Sequence, residues 1–79
     1  MKVDVKLDFD VEFEKALDVA KSIASNFGDA MLLSWRDLKT GKKYPNVDCC
    51  GEDSWEIYAI NRGGNLKINV NEYSFIFRV

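Results

Sequence analysis

The chain has 79 residues, with 13 acidic against 11 basic side chains and a net charge of −2. That length allows one domain near the lower limit of independent folding, and five Phe, three Tyr and two Trp supply the core that a disordered chain would lack. The charge balance argues against a dedicated grip on a polyanion, which needs a positive field, and no apolar run approaches the ~18 residues of a membrane span.

Val3, Val5, Leu7 and Phe9 alternate with Lys2, Asp4, Lys6 and Asp8. Period two with clean polarity predicts a strand with one buried face. The same alternation lacks the continuous apolar stretch of a secretory leader, so a cytosolic location is expected. The spacing then changes. Phe13, Ala16, Leu17, Ala20, Ile23, Ala24 and Phe27 recur at three and four, which predicts an amphipathic helix over 11–27. Asp10 is the expected N-cap, and Gly28 offers the positive φ that ends a helix.

Residues 30–36 read as a more buried strand, and 37–42 carry turn chemistry with Gly41 available for positive φ. Tyr44 resumes pairing briefly before Pro45, which lacks a ladder donor. Trp55, Ile57 and Ala59 alternate with Glu56, Tyr58 and Ile60, which predicts another strand. Arg62-Gly63-Gly64-Asn65 reads as a hairpin turn. Leu66, Ile68 and Val70 and then Tyr73, Phe75, Phe77 and Val79 give two further strands across Asn71-Glu72, completing a meander. The expected fold is one α+β domain over 1–79, in the order β-α-β-β-β-β. A single amphipathic helix covers one face of a mostly antiparallel sheet of four to five strands. Tyr58, Ile60 and Ile76 are then expected on the far face, as a surface for a protein partner or a homodimer.

The stretch Pro45–Asp53 holds both cysteines, the one proline and three carboxylates. A structural zinc site wants about four Cys/His ligands with residues between them. Cys49 and Cys50 are adjacent and the chain has no histidine, so Asp48, Glu52 or Asp53 would have to complete any site. Those three acids also disfavour a thiolate, which counts against a nucleophilic cysteine. The simpler reading packs one thiol inward as a small hydrophobe. Arg62-Gly63-Gly64-Asn65 offers an anion nest of backbone N–H groups beside a guanidinium, weighed against an ordinary turn. Arg36, Lys39, Lys42 and Lys43, flanked by Trp35 and Tyr44, would suit single-stranded nucleic acid if cations and aromatics shared a face. Trp35 shares parity with Met31 and Leu33, which favours the core.

The middle of the chain resembles a small family of uncharacterised prokaryotic domains, found in archaea and some bacteria. The matching residues are Leu33-Ser34-Trp35, Asp37, Gly41-Lys42, Pro45-Asn46-Val47, Cys49-Cys50, Trp55, Tyr58-Ala59, Arg62-Gly63-Gly64-Asn65-Leu66 and Ile68. A looser match runs on to Phe77. Arg36 stands where an aromatic residue is expected. The resemblance implies a small α+β domain and carries over no catalytic residue.

No cofactor signature is present. The functional expectation is a non-catalytic cytosolic binding domain acting on a protein partner or on itself. Its rivals are a cysteine-dependent or metal-binding site at Cys49-Cys50 and a nucleic-acid surface on the 36–43 hairpin. The candidate residues are Asp48, Cys49, Cys50, Glu52 and Asp53 in the loop, and Arg36, Arg62, Gly63, Gly64 and Asn65 as anion or partner contacts.

Overall fold

The computed structural model describes residues 1–44 and 54–79. Their elements run β1 (Lys2–Val5), α1 (Phe13–Ser25), β2 (Met31–Asp37), β3 (Lys43–Tyr44), α2 (Ser54–Asn61), β4 (Leu66–Val70) and β5 (Tyr73–Arg78). The five strands form one sheet in the order β1-β4-β5-β2-β3. β1 pairs with β4 in parallel, and the other neighbours are antiparallel. The α+β class and the mostly antiparallel sheet are therefore as expected. β1, β2 and β4 run the same way, so β1-α1-β2 is a split β-α-β unit with β4 and β5 between its strands.

Two adjacent rows of residues cross all five strands. Val3, Ile68, Phe75, Trp35 and Tyr44 lie in register, and one step along lie Asp4, Asn69, Ser74, Arg36 and Lys43. Neighbouring residues on a strand point to opposite faces, so the apolar row faces α1 and the polar row faces away. α1 presses Ala16, Ala20 and Ala24 flat against the sheet, all fully buried. Phe13 fits between Trp35, Tyr73 and Phe75, with ring centroids at 4.5, 5.9 and 5.7 Å. Leu17 and Ile23 flank this line half-buried, while Phe27 and Phe9 are exposed. The helix begins later than expected. Its N-cap is Glu12, whose side chain makes no capping bond, and Asp10 lies in solvent.

The main correction concerns residues 54–61, which form α2 rather than a strand. Trp55 and Ala59 stand four apart, a spacing that both periods allow in so short a segment. As a helix they lie on one face and are buried with Leu33 and Ile76 in a second, smaller core. α2 thus covers part of the sheet face opposite α1, and the expected meander shrinks to the β4–β5 hairpin. Ile76 is buried beneath α2, leaving Ile60 as the exposed apolar residue of the expected far face. Ser34 Oγ and Trp55 Nε1 are buried without a hydrogen-bond partner among the described residues. Each such atom costs about 1–3 kcal/mol, which the apolar contacts of this smaller core must offset.

A bulge in β2 explains the misread parity of Trp35. Leu32 pairs with Phe77 and Ser34 with Ile76, so two steps on β2 oppose one on β5. The extra residue switches the alternation. Leu33 packs under α2 while Leu32 and Trp35 pack under α1.

Candidate functional site

Because β1, β2 and β4 run together, their carboxyl ends reach the same end of the sheet. Three chain segments leave there: 6–12 toward α1, 38–42 toward β3, and Asn71-Glu72 toward β5. Asn71 ties the first segment to the third. Its φ of 51° is positive, a conformation that asparagine tolerates better than most residues. Its backbone N–H donates to the Val5 carbonyl at 2.9 Å. Its Oδ1 accepts from the Leu7 N–H at 2.7 Å, and its Nδ2 donates to the Phe9 carbonyl at 3.1 Å. The side chain thus continues the β1–β4 ladder past the end of both strands.

The other ties are equally specific. The Leu38 N–H donates to the Glu72 carbonyl at 3.0 Å, and the buried Tyr73 hydroxyl donates to the Val11 carbonyl at 3.1 Å. Asp37 holds the 37–42 turn from inside. Its two carboxylate oxygens accept from the Lys39 N–H and the Thr40 hydroxyl, each at 2.8 Å. Lys39 Nζ lies 3.9 Å from Asp10 across the gap. These segments enclose an open cleft of about 580 Å³, lined by Lys6–Val11, Lys39 and Asn71–Tyr73. Its size is that of a typical ligand site, and its place outside the carboxyl ends of co-directional strands is where α/β sheets commonly bind.

The cleft wall mixes Leu7, Phe9 and Val11 with two lysines and the carboxylates of Asp8, Asp10 and Glu72. Phe9 is 62% exposed, and Leu38, on the neighbouring turn, is 56% exposed. The Asp10 side chain is 94% exposed, so the apolar enclosure that tunes a catalytic carboxyl is missing at that position. The arrangement suits contact with a mixed polar and apolar surface.

The sequence-predicted residues fall elsewhere. Asp48, Cys49, Cys50, Glu52 and Asp53 lie outside the described residues. Arg36 joins the polar row, opposite Lys43 and beside Ser74. Trp35 and Tyr44 pair on the other face, although Lys42 and Lys43 border Trp35 around a hollow at the 40–43 turn, and Lys39 turns toward Asp10. Arg62 places its guanidinium 3.7 Å from the centre of the Tyr58 ring.

Arg62-Gly63-Gly64-Asn65 is a helix stop, not a hairpin turn. Gly64 N–H donates to the Ala59 carbonyl at 2.8 Å and Gly63 N–H to the Ile60 carbonyl at 3.1 Å, the double bond of a Schellman cap. Gly63 takes the positive φ, 88°. The Arg62 N–H also donates to Ala59, and the Asn65 N–H to Phe77. All four amides are therefore spent within the fold, which leaves none for the anion nest weighed against the turn. The Asn65 amide group instead pairs both ways with the main chain of Val79, at 3.0 Å each.

Gly64 is needed for closeness. A Cβ there would stand 2.8 Å from both the Ala59 carbonyl oxygen and Ile76 Cγ2. Gly64→Ala is expected to cost about 1–3 kcal/mol, the range for overpacking. A urea titration checks this against Ile57→Ala on the exposed side of α2, which should stay within about 0.5 kcal/mol.

The cleft residues were missed in the sequence because the alternation through Phe9 reads as strand and the spacing from 11 as helix, whereas β1 ends at Val5 and α1 begins at Phe13. The available signal was Asn71, an asparagine in a two-residue connection between alternating strands, where positive φ is required. Among the described residues no helix is long and apolar enough to cross a membrane.

The comparisons with known proteins agree with one another. The model of the domain of unknown function DUF5619 matches residues 1–78, and the chain belongs to that family. It is 53% identical to an uncharacterised protein of Archaeoglobus fulgidus over 78 residues, covering 99% of this chain and 86% of the relative. It also matches the crystal structure of AF1514 from the same organism, at 52% identity and a TM-score of 0.95, covering 99% of this chain and 92% of that one. Family membership bears out the resemblance read from residues 33–68.

Proposed function

We propose that this domain is a non-catalytic binding module that receives a segment of a partner protein in the cleft at the carboxyl ends of β1, β2 and β4. The observation that carries the reading is the exposed pair Phe9 and Leu38 beside a cleft with charged residues of both signs. Interfaces share this anatomy, an apolar centre within a polar rim, and a rigid aromatic is a common anchor. Lysines and carboxylates together suit a peptide, which brings its own donors, acceptors and charges. Trp35 is packed against the main core and Arg36 lies on the opposite sheet face, which favours this reading over a single-stranded nucleic-acid surface on the 36–43 hairpin. A cytoplasmic location fits it, with Cys49 and Cys50 as reduced thiols.

The test is a selection of random displayed peptides on the immobilised domain, followed by NMR titration with a synthetic copy of the best binder. The expected shifts are at Phe9, Leu38, Lys39 and Asn71, and Phe9→Ala should weaken binding roughly tenfold. Shifts confined to α2 or to the polar row, or an affinity indifferent to Phe9→Ala, would exclude the cleft.

A further inference from the structure

We propose that the outer edge of β1 pairs with β1 of a second copy, antiparallel about a twofold axis at Val5, so that two sheets join into one. This goes beyond peptide capture in the cleft, with which it shares Lys6, Leu7 and Asp8, and is carried by the backbone edge of β1.

β1 is the end strand of the sheet, with β4 as its neighbour. The Met1 and Val5 carbonyls accept from β4-side amides, and the Leu7 N–H donates to Asn71. Backbone groups along a parallel edge alternate in direction. The N–H and C=O groups of Asp4 and Lys6 therefore point away from β4, and among the described residues no strand pairs with them. An exposed edge of this kind is a template for another strand.

The side chains say which strand it fits. Val3, Val5 and Leu7 pack against the core on the α1 side and remain half-exposed, while Lys2, Asp4, Lys6 and Asp8 are exposed and alternate in sign. Setting Val5 opposite the second copy's Val5 places Val3 opposite Leu7 and Asp4 opposite Lys6, with Lys2 facing Asp8 at the bend that follows β1. Every pair is then apolar with apolar or acid with base, the combinations that stabilise facing strands. Sliding by two residues in one direction sets Asp4 against Asp4 and Lys2 against Lys6. Sliding the other way sets Lys6 against Lys6 and Asp4 against Asp8. A slide by one residue turns the apolar set to the wrong face, and a parallel in-register match opposes like charges throughout. A twofold at Val3 also avoids like charges, setting Lys2 against Asp4, but it pairs only residues 1–5 and leaves Lys6 and Asp8 without partners; the twofold at Val5 is the longest complementary isologous contact this edge can make.

The antiparallel twofold also keeps both copies of α1 on the same side of the joined sheet. Phe13 leans on Trp35 of β2, so the opposite flank of the helix, with Val19 and Ile23, looks toward β1. Both are half-buried in the single chain and would border the seam.

Sedimentation velocity over a wide concentration range is the first test, and dimerisation is expected. Lys6→Asp should weaken it roughly tenfold by opposing two acids, and Asp4→Lys combined with Lys6→Asp should restore it by exchanging the partners. Asp4 also accepts from Asn69 Nδ2 within its own chain, so recovery in the double variant separates contact between copies from support within one. A second readout needs no variant. Hydrogen exchange at the Asp4 and Lys6 amides should slow as concentration rises, while exchange at Leu7, already bonded to Asn71, should not change. A monomer at all concentrations, a dimer indifferent to Lys6→Asp, or a dimer in which the Asp4 and Lys6 amides still exchange freely would overturn the proposal. Concentration-dependent shifts at Phe9 and Lys39 with free exchange at Asp4 would place the second copy in the cleft instead, also against it.

Discussion

Phe75→Ala is expected to lower the unfolding free energy by about 3–5 kcal/mol, the range for removing a buried phenylalanine. Phe75 has no exposed surface and stands at the centre of the apolar row, with Ile68 on one side and Trp35 on the other. Phe13 of α1 closes over it. Truncation therefore opens a hole where three strands and a helix meet, and the alanines of α1 are too short to fill it. A total stability of about 5–15 kcal/mol is usual for a domain, so this one ring carries a large share. Urea titration beside Lys21→Ala on the exposed side of α1 provides the measurement. The midpoint should fall sharply for Phe75→Ala and hardly move for Lys21→Ala, with the slope unchanged in both. Equal midpoints would mean that the main core lies elsewhere.

Asn71→Ala is expected to cost about 2–5 kcal/mol from two separable sources. Two side-chain hydrogen bonds are lost, at about 0.5–1.5 kcal/mol each, and alanine at positive φ costs a further 1–2 kcal/mol or so. Asn71→Gly removes the bonds but tolerates the backbone, so it should recover the second part. The two variants titrated in urea give that difference directly. Hydrogen exchange at Leu7, whose amide donates to Asn71 Oδ1, should speed up in both. If alanine and glycine cost the same, the conformational part of the argument fails. The effect reaches beyond stability, because residues 7–9 form a wall of the cleft. A loosened wall should also weaken any peptide that selects for it.

Much of the fold could be read from periodicity alone. β4 and β5 alternate cleanly and meet at two residues, so their pairing was legible. α1 was legible from Ala16, Ala20 and Ala24, although its start was not, because Asp10 resembles a cap and Glu12 does not. α2 was lost because eight residues hold too few turns to separate a period of two from one of 3.6. Alternation also states which face a side chain takes but not which strand lies beside it. The parallel pairing of β1 with β4 was invisible for that reason. The bulge at Leu33 and Ser34 left no mark beyond one serine in a buried run. The cleft was illegible in another way, since its wall comes from three segments that meet through strand direction. The glycine pair was noticed, but its amides serve the end of α2, which the strand reading had removed.

The pairing of β1 with β4 also sets an order of events. Leu7 and Asn71, joined by a hydrogen bond, are 64 positions apart in the chain. During synthesis β1 is made well before β4, the strand that completes its ladder. Closing so long a loop carries an entropic cost before any contact repays it, and sheets dominated by such pairings fold slowly. Until then Val3, Val5 and Leu7, which pack against the core in the finished fold, have no sheet to pack on. The lysines and aspartates that alternate with them keep that waiting strand hydrated.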